Sequence, residues 1–76
     1  MLDARLVEVV SRVFDIPDEQ VTPALSSDTI EAWDSVNHLK LILSIEKAFC
    51  LRFPTAEIPN LVSVGRIQDA LNRLAK

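Results

Sequence analysis

The segment Trp33-Asp34-Ser35-Val36 places a hydroxyl and a carboxylate at the end of a long loop, where a strongly apolar helical run begins. A serine in this position can act as a nucleophile, cap the helix, or receive a group from another enzyme. Nucleophilic catalysis needs an oriented base, and the only histidine, His38, has no evident third residue to orient it. Modification by another enzyme needs only exposure and a recognition surface. The segment therefore predicts a modified protein rather than a catalyst.

The same residues also have structural interpretations. Aspartate and serine are common helix caps, so either Asp34 or Ser35 is expected to cap the second helix. His38 projects near the core-facing side of that helix and is predicted to pack there, partly buried, rather than to bind a ligand. Trp33 either folds back on the first helical turns as a staple or stands out as an anchor for a partner, and we favour the staple.

Three carboxylates cluster at the entrance of the same helix, those of Asp28, Glu31 and Asp34. Acidic side chains near a helix N-terminus interact favourably with its partial positive charge, and this is the interpretation we favour. A weak Mg²⁺ or Ca²⁺ site shared with a partner stays open as an alternative. We predict no resident metal site.

Composition limits the class of protein. A chain of 76 residues predicts a single domain over residues 1–76, close to the lower size limit for folding without disulfides or metals. About half of the residues are apolar, with one glycine and no tyrosine, which favours a helical protein over a sheet. The net charge of −3 disfavours binding to nucleic acid, which needs clustered cations.

Cys50 is the only cysteine, so the chain has neither an internal disulfide nor a cysteine-based zinc site. We expect it to be a buried packing residue whose free thiol fits a reducing cytoplasm. No run approaches the ~20 apolar residues that span a bilayer. Residues 1–5 mix charged and apolar side chains and do not resemble a secretory leader. We therefore expect a cytoplasmic monomer that does not insert into membranes.

The spacing of apolar residues predicts a first helix from about Asp3 to Phe14. Asp3 is the expected cap, and the helix ends at the Ile16-Pro17 step because a residue before proline avoids the α region. A long loop follows over residues 17–33, and a loop of this length needs a fixed path across the surface. Its expected anchors in the core are Val21, Leu25 and Ile30.

Two further helices and a short one complete the prediction of an all-α, small four-helix bundle. The second helix is expected from Ser35 to about Cys50, and a short third helix from Phe53-Pro54-Thr55, kept brief by Pro59. Ser63 should cap the last helix. Its apolar side carries Val64, Ile67, Leu71 and Leu74, and its polar side carries Arg66, Asp69, Asn72, Arg73 and Lys76.

The second helix has two apolar faces. At about 100° per residue, its core face comprises Leu41, Ile42, Ile45, Ala48 and Phe49. Val36, Leu39 and Leu43 form a second row, here called the outer stripe, about 140° away. The charges bordering the outer stripe are Lys40 and Lys47 on one side and Glu46 on the other. An apolar strip rimmed by charges is typical of a protein docking surface. Partial coverage by the long loop stays open as an alternative.

Over essentially its whole length the chain resembles the acyl carrier protein family, including the peptidyl carrier domains built on the same scaffold. The first helix and the long loop match, and Asp34-Ser35-Val36 stands in place of the usual Asp-Ser-Leu. The resemblance continues through Ile45-Glu46-Lys47-Ala48-Phe49 and the Phe53-Pro54 entry to the short helix, and then through Leu61 and Val64. The motif is specific because it lies in a helical chain with matching elements on both sides.

The resemblance implies that Ser35 is the attachment point for 4′-phosphopantetheine, transferred from coenzyme A by a phosphopantetheinyl transferase. The terminal thiol of that arm would hold an acyl group as a thioester. Asp34 matches an acid that helps to hold Mg²⁺ during the transfer. The predicted docking residues for partner enzymes are Trp33, Val36, Leu39, Lys40, Leu43, Glu46 and Lys47. The implied partners are acyl- or aminoacyl-activating ligases, synthases and acyltransferases.

Two departures from the family pattern favour a specialised carrier. Carriers of primary fatty acid synthesis typically have a markedly acidic second helix and a glycine before the Asp-Ser motif. Here the helix carries Lys40, Glu46 and Lys47, and Trp33 precedes the motif. An acidic helix would speed encounter with basic enzymes, and this helix can do so much less. The alternatives are a helical interaction module without a prosthetic group and, more remotely, a small acyl hydrolase.

Overall fold

A computed structural model describes residues 2–74 of the chain. It consists of three α-helices, α1 (Ala4–Phe14), α2 (Ser35–Phe49) and α3 (Val64–Leu74), with 3-10 turns at Asp18–Gln20 and Ile58–Asn60. Within the described range the only β-type pairing is an isolated bridge between Ser26 and Ser63. The expected all-α class and the three main helices are confirmed. None of the helices in this range is long and apolar enough to cross a membrane.

Each α-helix begins at a polar side chain that accepts a hydrogen bond from a backbone amide of the first turn. Asp3 caps α1, Asp34 caps α2 and Ser63 caps α3, with N···O distances of 2.8, 2.9 and 3.2 Å. The two caps that the sequence assigned outright, Asp3 and Ser63, are confirmed. Of the two candidates for α2, Asp34 takes the cap, and Ser35 is the first residue of the helix.

Two of the helices end in the same left-handed turn. Asp15 after α1 and Cys50 after α2 have φ values of 54° and 52°. The amides of the following residues, Ile16 and Leu51, each bond at 3.1 Å to the carbonyl five residues earlier, which closes the last turn. The prediction that Cys50 is buried is wrong: its position past the end of α2 leaves the thiol exposed.

Helices α1 and α2 run antiparallel around the core. Phe14 at the end of α1 stacks on Trp33 just before α2, with ring centroids 5.0 Å apart. At the other end the Arg5 guanidinium lies 4.4 Å from the centroid of the Phe49 ring. The buried apolar residues are Leu6, Val10, Phe14, Val21, Leu25, Trp33, Leu41, Ile42, Ile45, Phe53, Leu61, Val64, Ile67, Ala70 and Leu71.

Three details of the predicted helices need correction. Ala48 is exposed, because it lies at the edge of the α1–α2 contact and lines an open cleft there instead of facing the core. Leu74 is 39% exposed, since the end of α3 extends past the core. The short third helix is a 3-10 turn over Ile58–Asn60, preceded by a turn whose Glu57 amide bonds to the Pro54 carbonyl at 2.9 Å.

The long loop follows the path expected from its anchors. Val21 and Leu25 are buried and Ile30 is half-buried against the core. The loop backbone is joined to the start of α3, because the Leu25 carbonyl accepts from the Val64 amide at 2.9 Å. The loop therefore packs against α3, and the outer stripe of α2 is left uncovered.

Candidate functional site

Ser35 lies at the first position of α2 and its side chain is exposed. The cap is supplied by Asp34, so the Ser35 hydroxyl is not needed to start the helix, and it makes no hydrogen bond within the described residues 2–74. The first amide bonded in the helical pattern is that of His38, which donates to the Asp34 carbonyl at 2.8 Å. The amides of Ser35 and Val36, at the positive end of the helix, therefore have no acceptor among residues 2–74.

The loop is joined firmly to the first turn of α2. The Asn37 side-chain amide donates to the Ala32 carbonyl at 2.7 Å, and the Asn37 backbone amide donates to the Asp34 carboxylate at 2.9 Å. Both bonds span the Asp34-Ser35 step. They hold the backbone around Ser35 in one conformation while its hydroxyl stays open to solvent.

Trp33 and His38 form a hydrogen-bonded pair that reaches a distant segment. The Trp33 indole Nε1 donates to His38 Nδ1 at 2.9 Å, and His38 Nε2 lies 2.8 Å from the Ile58 carbonyl oxygen. Because Nδ1 accepts from the indole, the proton of the neutral ring resides on Nε2 and is donated to Ile58. Both imidazole nitrogens are thereby engaged, and neither serves Ser35 as a base.

The interpretation of His38 as a partly buried packing residue is confirmed, and so is the preference for Trp33 as a staple. The inclusion of Trp33 among docking residues is wrong. The ring is 4% exposed because it is stacked on Phe14 and bonded to His38, which leaves it almost no surface for a partner.

A groove of about 430 Å³ begins at Ser35 and runs toward the 3-10 turn that follows α2 in the chain. The hydrogen-bonded rings of Trp33 and His38 are part of its lining. Its remaining lining residues are Ser27, Asp34, Leu39, Ile58, Pro59 and Val62. The groove is mostly apolar and borders the only hydroxyl at the start of α2.

The outer stripe is the most exposed apolar surface within residues 2–74. Val36, Leu39 and Leu43 are 76, 53 and 57% exposed. Lys40 and Lys47 beside them are exposed too and take part in no ion pair within the described range. Glu46 is different: its carboxylate accepts from the Phe53 amide at 2.8 Å and holds the turn after α2.

The acidic residues near the helix entrance do not form a metal centre. Among residues 2–74, no group of three or more His, Cys, Asp or Glu side chains is arranged to hold a metal ion. Asp34 uses one carboxylate oxygen to cap α2 and remains exposed, so the other oxygen is accessible from solvent.

Sequence reasoning did not find the contribution of Ile58 and Val62 to this region. Both lie more than twenty residues after Ser35 in the chain, and no local pattern links them to it. The Ile58-Pro59 step was visible only as a helix-limiting proline, whereas its carbonyl proves to be the acceptor for His38. Asn37, one of whose bonds runs back to the loop, likewise had no signal beyond its polarity.

Fold and site together define a small all-α domain with a spare, exposed hydroxyl at the start of its central helix. The chain is 32% identical over 71 residues to an acyl carrier protein of Acidothermus cellulolyticus, covering 92% of this chain and 80% of that one. It is also similar to the solution structure of a holo acyl carrier protein from Geobacter metallireducens. The TM-score is 0.82 and the identity 31%, over 93% of this chain and 82% of that one. No protein-family model matches. The chain belongs to the acyl carrier protein family.

Proposed function

We propose that this protein carries acyl or aminoacyl groups as thioesters on a 4′-phosphopantetheine arm attached to Ser35, and presents them to partner enzymes. The observation that carries the proposal is the exposed Ser35 hydroxyl at the first position of α2, free because Asp34 supplies the cap. The holo state named for the structural neighbour agrees with a prosthetic group in this family. The protein is thus a substrate of other enzymes rather than a catalyst.

The residues around Ser35 fit a phosphodiester. The amides of Ser35 and Val36 and the positive end of α2 favour an anion at this hydroxyl. Asp34 supports the transfer step in a second way, since its exposed carboxylate can contribute an oxygen ligand to Mg²⁺ in the complex with a phosphopantetheinyl transferase. When attached, the arm supplies a thiol for thioester formation, which no residue near Ser35 provides.

The proposed docking surface for partner enzymes is the outer stripe with its flanking charges. Val36, Leu39 and Leu43 offer apolar contacts beside the attachment point, and Lys40 and Lys47 border them. Glu46 marks the opposite edge, although its bond to Phe53 gives it a structural role as well. A stripe that starts next to Ser35 lets a partner bind the helix and reach the arm at the same time.

We further propose a specialised pathway rather than primary fatty acid synthesis. The support is the charge of the exposed face of α2, where two lysines border the apolar residues and the one acidic side chain, that of Glu46, is bonded to the backbone. Such a face attracts partners with acidic or apolar docking sites and does little to attract basic ones. The expected partners are a dedicated acyl- or aminoacyl-activating ligase, with a synthase or acyltransferase. We propose that it works as a cytoplasmic monomer.

The test is incubation of the purified protein with coenzyme A and a promiscuous phosphopantetheinyl transferase, followed by mass spectrometry. The wild-type protein should gain the mass of one phosphopantetheine, and Ser35→Ala should gain none. Ser44→Ala, on the same helix and half-buried, is the matched control and should be labelled like the wild type. A circular dichroism spectrum of each variant checks that the helices remain.

Two results would contradict the proposal. Absence of any mass gain on the wild-type protein would favour the helical interaction module without a prosthetic group. Labelling that persists in Ser35→Ala would place the attachment elsewhere. The pathway proposal fails separately if the holo protein supports a primary fatty acid synthase as well as that system's own carrier does.

A further inference from the structure

Two hydrogen-bonded rings, those of Trp33 and His38, line the groove beside Ser35. The Trp33 indole bonds to His38 Nδ1, and His38 Nε2 bonds to the Ile58 carbonyl, so the imidazole bridges the loop before α2 and the 3-10 turn after it. Trp33 is in turn stacked on Phe14 of α1. Helix α1, the loop at the start of α2, and the 3-10 turn are thus joined beside the groove that Ser35 lines.

The core lies next to these rings. Leu41, Ile42 and Ile45 follow His38 on the same face of α2, and all three are buried. Protein interiors are packed about as densely as organic crystals, so a guest needs space that neighbouring side chains must vacate. The groove itself opens to the solvent side, toward Ser35 and Leu39.

An alkyl chain that entered the core from the groove between the start of α2 and the 3-10 turn would displace His38, because the His38 imidazole joins these two segments. That movement would leave the Trp33 indole N–H and the Ile58 carbonyl without partners in a largely apolar setting, which is unfavourable. An acyl group that stays in solvent, outside the groove, breaks neither bond. Exposing each methylene group of an acyl chain to water also costs free energy. A carrier whose core is closed therefore suits an acyl group with few methylene groups.

We propose that Trp33, His38 and the Ile58 carbonyl close the core to the cargo, and that the natural cargo is therefore a short or polar acyl group held outside the helical bundle. The proposal rests on the function proposed above, because it needs a group tethered at Ser35. Within it His38 is a positioning residue, since it acts by holding Trp33 and the 3-10 turn in place. The proposed closure restricts the class of acyl group that the protein carries, whereas attachment at Ser35 alone does not.

The experiment loads the protein with acetyl-, octanoyl- and dodecanoyl-phosphopantetheine from the corresponding coenzyme A thioesters, using a promiscuous phosphopantetheinyl transferase. Cleavage of each thioester by hydroxylamine is followed by mass spectrometry, and Trp33, the only tryptophan, reports its surroundings by fluorescence. We expect equal cleavage rates for the three chain lengths and one Trp33 emission maximum. Cleavage that slows with chain length, or an emission maximum that shifts with it, would overturn the proposal.

Two variants test whether the closure is the cause. In His38→Leu, which removes both hydrogen bonds, we expect the dodecanoyl thioester to be cleaved several-fold more slowly than the acetyl one, because the core becomes reachable. Ser44→Ala, on the α1 side of the helix, should behave like the wild type. Equal rates for all lengths in His38→Leu would overturn the assignment to His38. Trp33→Phe removes only the indole donor and gives a milder opening should His38→Leu fail to fold.

The two proposals fail in different ways. If no mass is added by any coenzyme A thioester, the proposed function fails before the cargo question arises. If all three groups are added but the long chains are protected from hydroxylamine, the carrier function stands and the closed core is wrong.

Discussion

Ser35 and Asp34 are neighbours with separable tasks. Asp34 accepts the Asn37 amide and so begins α2, whereas the Ser35 hydroxyl is spare. The stability of the helix start and the chemistry of attachment therefore depend on different side chains. Sequence reasoning left the cap open between the two, because both residue types fill that position in proteins.

The first prediction separates these tasks. Asp34→Ala should lower the free energy of unfolding by about 1 kcal/mol, the usual effect of losing a helix cap, while Ser35→Ala should leave it almost unchanged. Asp34→Asn is the matched control, because asparagine caps as well as aspartate but has no carboxylate. It should keep the stability and slow phosphopantetheine transfer. Urea denaturation and a transfer assay measure the two effects, and a larger loss of stability in Ser35→Ala than in Asp34→Ala would contradict the assignment.

The second prediction concerns His38, which satisfies two polar groups at once. His38→Leu should lower the free energy of unfolding by about 1–3 kcal/mol, because the Trp33 N–H and the Ile58 carbonyl lose their partners. A double-mutant cycle with Trp33→Phe isolates the indole bond, since phenylalanine keeps the ring and removes the donor. Additive effects of the two substitutions would show that the bond contributes nothing to stability.

At the scale of elements, α2 has one buried apolar face and one exposed apolar face. Residues two positions apart on the helix can therefore lie on different faces. Leu41 is fully buried, whereas Leu43 is more than half exposed and lies in the outer stripe. The same residue type thus serves the core at one position and a proposed interface at the other. The loop leaves the outer face bare because its backbone is bonded to the start of α3.

The third prediction uses this matched pair. Leu41→Ala should lower the free energy of unfolding by about 2–5 kcal/mol, as expected for a large-to-small change in a core. Leu43→Ala should change it by no more than about 0.5 kcal/mol and reduce the rate of phosphopantetheine transfer through weaker docking. Thermal unfolding and transfer kinetics are the measurements. A Leu43→Ala variant that is as unstable as Leu41→Ala would show that the stripe is covered.

The fourth prediction concerns the end of α2. Cys50 adopts a left-handed conformation with φ of 52°, which glycine tolerates and other residues resist. Cys50→Gly should therefore be more stable than Cys50→Ala by about 1 kcal/mol. Because the thiol is exposed, Cys50→Ala should resemble the wild type. Equal stability of the glycine and alanine variants in urea would mean that this turn stores no strain.

At the scale of the whole molecule, one core joins all three helices and the loop. Trp33 is placed where α1, α2, the loop and the second 3-10 turn meet, through its stacking on Phe14 and its bond to His38. A chain of 76 residues with one core is expected to unfold in a single cooperative step.

The fifth prediction follows from that placement. Urea unfolding monitored by Trp33 fluorescence and by far-ultraviolet circular dichroism should give coincident transitions, because the ring cannot be released while α1 and α2 stay packed. A fluorescence transition at a lower urea concentration would show that the loop and the bonded rings of Trp33 and His38 detach before the helices unfold. In that case the contacts among Trp33, His38 and Ile58 would be less stable than the packing of the helical core.

The three α-helices, two of their three caps and the position of Ser35 could be read from the sequence alone. These features depend on residues within about four positions of one another, since helical periodicity and capping are local. The start of α2 at Ser35 and the caps at Asp3 and Ser63 needed no knowledge of the rest of the chain. The family motif could likewise be read because it lies within one continuous stretch.

Only the tertiary structure decided which surfaces are open and which side chains are already used. The bond from His38 to Ile58 joins residues 20 apart, and the stacking of Trp33 on Phe14 joins residues 19 apart in number. No periodicity encodes such pairs. The exposure of Ala48, the burial of Trp33 and the bare outer stripe all follow from how separate segments pack, because burial belongs to the assembled fold and not to any one helix.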